Sequence, residues 1–542
     1  MAFSSSGTVH RSTVTGTRGM VASAHPLATL AGVRMLLDGG NAFDAIVATA
    51  AALNVVEPYM SGIAGVGYAL AHIASEGRVR ALDYCGRTPH EATADKFSNH
   101  DDQEMGPMSC LTPGACGGWL ELIDRYGRME PAKVFAPAIE LAEKGYAVTV
   151  RNSRFIEDAV SRLSPTGKAV VLQNGRTPRP GDVLLQTDLG RTFRRVVEGG
   201  PEVFYRGDLS GEIAGAVQKA GGLLTARDLA DFAVEWVDPV STGYRGVEVY
   251  CPPPPSSGFH ILQTLNMLEE SDLAGLGHLS EESLHLLIET LKIANTDRVE
   301  YGAVNNPPIQ GLLSKAYARD RMKLVGETAS VSRGEYFEAQ RLPEEVRPGT
   351  PGDWVNDCTT HFDAVDADGN AVAITQSLGS GFGSGMVLDG TGMFLNNFIK
   401  WADVVDGSPN RIEPHKKVDM CLSPCQIHKD GQLVAALGTP GSWGIQQTTT
   451  QFTTNYLDYG MNIQAAIEAP RFRFQFPGKG LFMESRVPES VRKGLAGRGH
   501  EIDLLPDWSA IVGGAQGITV DPESGALMGG ADPRRDGYAI GI

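Results

Sequence analysis

Thr359 and Thr360 stand at the start of a sequence pattern that is typical of a β-hairpin. Residues 360–366 and 371–377 favour strands, and the turn residues Asp366–Asn370 lie between them. Because cross-strand neighbours keep a constant register, folding about this turn places Ser377 within about one residue of the position opposite Thr359. We therefore expect the hydroxyl groups of Thr359 and Ser377 to be neighbours.

A threonine hydroxyl is a weak nucleophile at its ordinary pKa and needs a base within hydrogen-bonding distance. A threonine at a chain terminus carries a base in its own α-amino group, whose pKa of ~8 suits catalysis near neutral pH. Cleavage of the backbone between Cys358 and Thr359 would create that terminus, and the Ser377 hydroxyl would orient either group. The pattern thus indicates a self-cleavage site, with an ordinary exposed hairpin as the alternative interpretation.

A second pattern, farther along the chain, suits the stabilisation of negative charge. Residues 431–437 predict a buried strand, 438–444 a glycine-rich loop, and 445–457 a helix. Backbone N–H groups in such a loop point toward one place, which is how an oxyanion is held. A tight turn without chemical function is the alternative.

The remaining elements are predicted from hydrophobic periodicity and turn residues. Gly39-Gly40-Asn41 separates two helices within residues 26–56, and Asn41 can cap the second, whose small residues predict a buried position. The glycines of Gly62–Gly67 precede a strand at 68–73 and do not follow one, so they do not indicate a dinucleotide site. Further predictions are a mostly helical stretch at 115–235, a strand at 244–250, an extended connector at prolines 252–255, helices at 259–268 and 280–296, and a loose surface segment at 326–357.

Composition and charge exclude several classes of protein. The chain has 542 residues, 42% of them hydrophobic, and its 47 basic and 64 acidic residues give a net charge of −17 without a basic cluster. We therefore expect neither nucleic acid nor a membrane as a partner. The first residues lack the features of a secretory signal, and no apolar run is long enough to span a bilayer, which predicts a cytoplasmic protein.

The cysteines give no sign of a disulfide framework or a zinc site. Seven cysteines are scattered along the chain, at positions 85, 110, 116, 251, 358, 421 and 425. Cys421 and Cys425 are close in sequence, but no second pair or histidine cluster accompanies them. We expect reduced thiols and no metal.

Short stretches along most of the chain match, in the same order, those of one enzyme family. They are Gly19–Ser23, Leu37–Ala45, Val56–Pro58, Thr112–Gly114, Pro137–Gly145, Thr359–Phe362, Asp368–Val372, Phe382–Gly385, Leu395–Asn397, Leu422–Pro424, Gly438–Gly441 and Ala469–Arg471. On these motifs the chain resembles the γ-glutamyltransferase family, whose members are proenzymes that cleave before a threonine in a Thr-Thr-His run.

The resemblance implies a fold, a maturation step and a set of catalytic residues. The expected fold is α/β (α+β), a four-layer αββα sandwich of the N-terminal-nucleophile (Ntn) hydrolase type. Cleavage between Cys358 and Thr359 would give a large subunit, residues 1–358, and a small subunit, residues 359–542, interleaved in one structural domain. A dimer of these heterodimers is one assembly left open. The residues that match catalytic positions are Thr359, Ser377 (a threonine in the family), Gly441 and Ser442, and no cofactor is implied.

The positions with which the family grips a glutamyl group differ in this chain. The family's polar side chains at these places are replaced by Cys85, Gly379, Phe398, Trp401, Met420 and Cys421. A site that pairs a zwitterion loses several partners through these changes, and buried charges without partners are costly. We infer that the amide chemistry is retained and that the acyl group is not glutamyl.

The replacing residues, together with Trp443, predict an apolar wall suited to an aromatic or aliphatic acyl group. Arg87 or Lys400 would add a partner for a carboxylate, although a surface salt bridge is the alternative for Arg87. An oxamate-like short acid monoamide and a glutaryl amide of the acylase type are then candidate substrates. The other functions left open are a true γ-glutamyltransferase or glutathione hydrolase with a rearranged clamp, and a catalytically inert binding protein.

Overall fold

Two antiparallel seven-stranded sheets lie face to face at the centre of the computed structural model, which describes residues 9–98, 100–335 and 357–542. Sheet 1 contains the predicted hairpin, β10 and β11. Its strands, in spatial order, are β19 (Tyr538–Gly541), β2 (Gly19–Ser23), β10 (Asp357–Asp366), β11 (Ala371–Ser380), β3 (Val66–Ile73), β4 (Arg78–Asp83) and β7 (Glu235–Val237).

Sheet 2 packs against sheet 1 and also draws strands from both sides of position 358. Its order is β1 (Val14–Gly16), β18 (Leu527–Ala531), β17 (Gln516–Val520), β13 (Gln432–Gly438), β12 (Cys425–Lys429), β9 (Val247–Cys251) and β8 (Val240–Tyr244). Two smaller sheets are formed by β14 (Phe472–Phe474), β15 (Gly480–Glu484) and β16 (Glu501–Leu505), and by β5 (Tyr146–Ala147) and β6 (Val183–Leu184).

Helices cover the outer face of each large sheet. Their bounds are α1 Pro26–Leu37, α2 Ala42–Val56, α3 His100–Glu104, α4 Ala115–Tyr126, α5 Pro131–Lys144, α6 Val150–Ala159, α7 Pro165–Val171, α8 Thr187–Tyr205, α9 Asp208–Lys219, α10 Ala226–Ala230, α11 Gly258–Leu268, α12 Leu273–Leu276, α13 Glu281–Tyr301, α14 Ile309–Leu312, α15 Lys315–Met322, α16 Gly444–Leu457, α17 Ile463–Glu468 and α18 Glu489–Gly497. Short 3₁₀ turns occur at Ala94–Lys96, Val160–Arg162, Phe398–Trp401 and Ala510–Val512.

Three apolar layers hold these elements together. Helices α1 and α2 pack directly on sheet 1, and α4 and α5 pack on α2. Helices α11, α16 and α17 pack on sheet 2, and α13 packs on α11. Between the sheets lies a third cluster that includes Met20 and Val365 of sheet 1 and Leu433 and Ile518 of sheet 2. The arrangement is the four-layer αββα sandwich that the sequence predicts.

The predicted helix pair at 26–56 is confirmed. Asn41 caps α2 with a reciprocal capping box, in which Asp44 bonds back to the Asn41 backbone. Every residue of α2 is buried, and a Cβ added to Gly32 of α1 would lie 2.3 Å from the Thr49 hydroxyl oxygen. Small residues on α2 thus allow the close approach of α1, as their composition indicates.

The single strand predicted at 244–250 is wrong. The chain turns at Arg245 and Gly246, both with positive φ (49° and 76°), and β8 and β9 form a hairpin there. Positive φ at both central residues is the geometry of a tight two-residue hairpin turn, which the sequence prediction overlooked.

The segment predicted as loose at 326–357 is held firmly where it is described, up to residue 335. The Ser330 carbonyl accepts a hydrogen bond from Lys292 Nζ at 2.9 Å, and the Ser332 amide donates to the Gly478 carbonyl at 2.7 Å. The rest of that prediction, residues 336–356, lies outside the described residues. Among the helices that the structure describes, we find none with the length and apolar character needed to span a membrane.

Candidate active site

The β10–β11 hairpin brings Thr359 and Ser377 together at an irregularity in the strand pairing. Cys358 pairs with Gly379 and Thr360 pairs with Gln376, so Ser377 and Leu378 both lie opposite Thr359. Such a bulge turns a side chain away from its regular direction. The Thr359 hydroxyl donates to Ser377 Oγ at 3.3 Å, and Ser377 Oγ also accepts the Gly379 amide at 2.8 Å. Both hydroxyl-bearing side chains are buried.

Two charged residues that the sequence interpretation did not select hold the backbone around Thr359. Arg535 Nη1 donates to the Thr359 carbonyl at 3.0 Å, and the Thr360 hydroxyl donates to Glu57 Oε2 at 3.2 Å. Both charged side chains are nearly inaccessible to solvent. Burial raises the pKa of Glu57 to about 7, although the Arg535 charge opposes the shift. The position of Thr359 therefore depends on a buried carboxyl group, from Glu57, and a buried guanidinium group, from Arg535, which come from distant parts of the chain.

His361 stands two residues after Thr359 and fixes the contact between the two sheets. Its Nδ1 lies 2.9 Å from the Thr375 hydroxyl oxygen and its Nε2 lies 3.1 Å from Asp363 Oδ1. Burial raises the pKa of Asp363, and the neighbouring His361 opposes the shift. A Cβ on Gly438 of β13 would lie 2.3 Å from the His361 ring, so only glycine allows this approach. The end of β13 is thereby placed beside the start of β10.

The loop predicted to hold an oxyanion leaves β13 at this point. Gly441 and Ser442 have φ values of 135° and 51°, and the second is an uncommon conformation for a residue other than glycine. The Gly444 and Ile445 amides bond back to the carbonyls of Gly441 and Ser442, both at 2.9 Å, and α16 begins there. Among the described residues, the amides of Gly441 and Ser442 have no protein acceptor.

Arg535 also connects this loop with Thr359. Its side chain packs on Gly514, where an added Cβ would lie 2.6 Å from Arg535 Cδ. The Gly514 amide in turn donates to the Thr439 hydroxyl oxygen at 3.1 Å, inside the loop. Hydrogen bonds and packing thus connect the threonine pair, the arginine and the glycine loop.

Comparison with known proteins places this geometry in a family. The family model described as gamma-glutamyltranspeptidase matches residues 28–542. The chain belongs to the gamma-glutamyltranspeptidase family. The match covers nearly the whole sequence, including the hairpin and the glycine loop.

Individual relatives cover the same extent. The chain is 37% identical to the Acylase ACY 1 proenzyme of Pseudomonas sp. (strain V22), over 99% of this chain and 95% of the relative. It is 34% identical to the glutathione hydrolase proenzyme of Escherichia coli (strain K12), over 95% of this chain and 90% of the relative. The crystal structure of cephalosporin acylase from Bacillus halodurans superposes with a TM-score of 0.89 at 33% identity, covering 100% of this chain and 99% of the other. The protein is thus a self-processing amidohydrolase of the Ntn type, acting on amide C–N bonds.

Three of the residues that the sequence predicts to replace polar positions of the family lie near Ser377. The rings of Phe398 and Trp401 stack at 4.8 Å with an interplanar angle of 27°. Gly379, two residues after Ser377, has a φ of 105°, and a Cβ there would lie 3.2 Å from Trp401 and 2.1 Å from Asn397 Oδ1. An asparagine at 379 would therefore not fit unless the Asn397 and Trp401 side chains moved.

Met420 and Cys421, two further predicted replacements, lie on a loop that is fixed from two sides. The Met420 amide donates to the Pro255 carbonyl, and the Met420 carbonyl accepts the Ser257 amide, both at 2.8 Å. The Cys421 carbonyl accepts Gln446 Nε2 of α16, also at 2.8 Å. Met420, Cys421, Phe398, Trp401, Trp443 and Cys85 all belong to one buried apolar cluster. All six are thus buried among apolar side chains, and their role as a substrate wall stays a prediction.

A buried arginine, which the sequence interpretation also missed, links both ends of this wall. The Arg298 guanidinium lies 3.8 Å from the Trp443 ring centroid and donates to Asp419 Oδ2 at 2.8 Å. It also bonds Glu335. Burial raises the pKa of Asp419 to about 6 against the opposing charge of Arg298. Arg298 therefore braces Trp443 against the residue that precedes Met420.

The two cations proposed as carboxylate partners are engaged by protein acids. Arg87 pairs with Glu235 at 3.2 Å on the rim of a polar cavity of about 550 Å³ that also includes Asp83 and Lys417. This is the salt bridge considered as the alternative for Arg87. Lys400 donates to the Ser380 hydroxyl oxygen at 2.8 Å and lies 3.8 Å from Glu104. Two residues before Arg87, the buried Cys85 thiol donates to the Gly67 carbonyl at 3.5 Å.

Within the described part of the chain, one group of side chains has the composition of a metal site. The ligand atoms of His285, Glu289 and His500 lie within 4.8 Å of one another. They already have protein partners, because Glu289 bonds Lys292 Nζ at 3.0 Å and His285 Nε2 lies 2.9 Å from the Gly326 carbonyl. The group is best explained as a polar contact between α13 and the chain that follows α18.

Proposed function

We propose that Thr359 is the nucleophile of this amidohydrolase and that the acyl group it accepts is not glutamyl. The observation that carries the proposal is the hydrogen bond of the buried Thr359 hydroxyl to Ser377, with the Thr359 carbonyl held by Arg535. This arrangement fixes the hydroxyl at the start of a strand, next to the peptide bond that would be cut.

Maturation would begin with attack of the Thr359 hydroxyl on the Cys358 carbonyl carbon. The peptide C–N bond breaks, the proton of the hydroxyl passes to the Thr359 nitrogen, and an ester joins Cys358 to Thr359. Water hydrolyses the ester and leaves a carboxylate on Cys358 and a free amine on Thr359. Since each large sheet contains strands from both 1–358 and 359–542, we expect the two products to stay together as subunits of one unit.

In turnover the free amine would act as the base for the same hydroxyl. The hydroxyl attacks the substrate amide carbonyl, the amide nitrogen leaves with a proton, and water releases the acid from the resulting ester. The amides of Gly441 and Ser442, which have no acceptor among the described residues, are available to the developing oxyanion. The loss of one such donor typically costs ~3 kcal/mol of transition-state stabilisation.

The acyl group is inferred from the wall formed by Phe398, Trp401, Met420, Cys421 and Trp443. An apolar wall favours an aliphatic or aromatic acyl chain and leaves the charges of a glutamyl group without partners. Relatives named as an acylase and a cephalosporin acylase support this class. A carboxylate at the far end of the acyl group, as in a glutaryl or oxamate-like amide, would have to compete with Glu235 for Arg87 or with Glu104 for Lys400.

A panel of chromogenic anilides with one leaving group tests the acyl class. We expect an aliphatic or phenylacetyl anilide to be hydrolysed with a kcat/KM at least tenfold above that of the γ-glutamyl anilide. A glutaryl anilide and an oxamate amide test the carboxylate variants. Preferred release from the γ-glutamyl anilide would support a glutathione hydrolase, which is the name of one relative, and acceleration by glycylglycine would support a γ-glutamyltransferase. An uncut chain that is inert to the whole panel would indicate a binding protein.

A further inference from the structure

Two cysteines from different parts of the chain face each other across sheet 2. Strands β9 and β12 pair antiparallel, with Tyr250 opposite Gln426 and Val249 opposite Ile427. The same register continues to Cys251 and Cys425, whose sulfur atoms lie 3.3 Å apart. Both side chains are completely buried.

We propose that Cys251 and Cys425 are an oxidisable pair that a low-molecular-weight disulfide converts into a disulfide bond. Directly opposed residues of antiparallel strands have the separation that a disulfide needs, roughly 4.5–5.5 Å between Cα atoms. The sulfur atoms must approach from 3.3 Å to a bond of about 2.05 Å, which small side-chain rotations accomplish. Both thiols lose a proton, the sulfur atoms bond, and the added disulfide is reduced to two thiols.

The surroundings of the pair determine when it can react. Burial raises the pKa of the Cys251 thiol well above its ordinary value, and the nearby Cys425 thiol adds to the shift. Because the thiolate is the reactive form, the folded protein should oxidise slowly and mainly during transient opening of the sheet. Helix α11 closes the site, since a Cβ on Gly258 would lie 2.5 Å from Cys251 Cβ.

The bond would join segments on either side of position 358. Cys251 precedes that position and Cys425 follows it, so after cleavage the disulfide would link the two products covalently. It would also tie the proline run at 252–255 to the loop of Met420 and Cys421, which already share hydrogen bonds. The pairing depends only on the fold and does not rest on the proposed nucleophile or substrate.

Oxidised glutathione in excess, with and without a sub-denaturing concentration of urea, tests the proposal on the purified protein. After iodoacetamide blocks the remaining thiols, digestion and mass spectrometry should reveal a peptide pair joined through Cys251 and Cys425, lighter by two hydrogen atoms and separated by a reductant. The urea should accelerate its formation. This readout does not require cleavage before Thr359, which a reducing gel reports separately.

Matched variants give the control. Cys251→Ser should abolish the joined peptide, and Cys110→Ser should leave it unchanged, since Cys110 is equally buried but bonds the Pro107 carbonyl. If the sample is cleaved, a non-reducing gel should show the products at the mass of the whole chain. Both thiols recovered as alkylated or as separate glutathione adducts, after exposure in urea, would overturn the proposal. Circular dichroism of each variant checks that it folds.

Discussion

The surroundings of Thr359 and the wall around Trp401 are both buried, but they consist of opposite kinds of contact. Around Thr359, hydroxyl, carboxylate, guanidinium and backbone groups satisfy one another over short distances. At the wall, the stacked rings of Phe398 and Trp401 and the thioether of Met420 belong to one buried apolar cluster. The difference underlies the proposal that the chain keeps the amide chemistry of its family but accepts a different acyl group. Substitutions in one region should therefore change catalysis, and substitutions in the other should change substrate binding.

The largest effect is expected from Thr359→Ala, which removes the nucleophile and keeps the strand. We expect no cleavage before residue 359 and a loss of amidase activity of at least about 10³-fold, since nucleophile and base reside on one residue. Thr359→Ser is the matched control and should still mature and turn over, though more slowly. Maturation and full activity of the alanine variant would show that another residue attacks.

Replacement of Arg535 by Gln should lower kcat by roughly 100-fold, because small displacements of a reacting group are costly. Arg535 bonds the Thr359 carbonyl and packs against Gly514 next to the glycine loop proposed to hold the oxyanion. KM for the preferred anilide should change far less than kcat. Unfolding curves must accompany the kinetics, and an unchanged kcat in a folded variant would remove Arg535 from the positioning role.

Glu57 makes stability depend on pH in a definite direction. Its pKa is about 7 in the folded protein and 4.5 is its ordinary value, so the folded state keeps the proton longer than the unfolded state. The contribution of Glu57 to the free energy of unfolding is complete below pH 4.5 and falls as the pH rises to 7. Above pH 7 it no longer changes, and the total loss is roughly 3 kcal/mol.

Glu57→Gln should remove this dependence, because the amide keeps an acceptor for the Thr360 hydroxyl and does not titrate. Denaturant unfolding of both proteins between pH 4.5 and pH 8 measures the difference. The variant should gain stability relative to the parent as pH rises. Parallel curves would mean that Glu57 has the same pKa in the folded and the unfolded protein.

Trp401→Ala tests the wall without touching the nucleophile. We expect KM for an aliphatic or aromatic anilide to rise roughly tenfold through lost apolar contact, while cleavage before Thr359 remains complete. Trp236→Ala, on the edge strand β7, is the control for general effects of losing an indole. Equal losses in both variants would argue that Trp401 only stabilises the fold.

The smallest effect is expected from Arg87→Ala. The ion pair with Glu235 is more than one third exposed on both sides, so its loss should change stability by less than about 1 kcal/mol. Hydrolysis of apolar and glutaryl anilides should be unchanged within about twofold, or roughly 0.4 kcal/mol. A selective rise in KM for the glutaryl compound would place Arg87 in the acyl site.

The sequence was informative where local chemistry determines structure. The turn residues Asp366–Asn370 define the hairpin register, and that register places Ser377 opposite Thr359. The strand, loop and helix around Gly441 follow equally from local signals, observed as β13 and α16. Local reasoning failed at Arg245, where a tight turn interrupts what looked like one strand.

The contacts that sequence reasoning missed are long-range. Arg535 is 176 residues from Thr359, and Glu57 is 303 residues from Thr360. Glu57 stands in the quoted stretch Val56–Pro58 at the end of a helix rich in small apolar residues, and a carboxylate there was a signal of a buried partner. No local pattern around Arg535 or Arg298 indicates which carbonyl or ring each would meet, because the packing of the two sheets decides it.

The most direct test of the central claim is the mass of the fragments in active, purified protein. The account predicts two chains, with the smaller beginning at Thr359 and becoming heavier by one acyl group when substrate hydrolysis is stopped by rapid acid quenching. Full activity from material in which the bond between Cys358 and Thr359 is intact would contradict it.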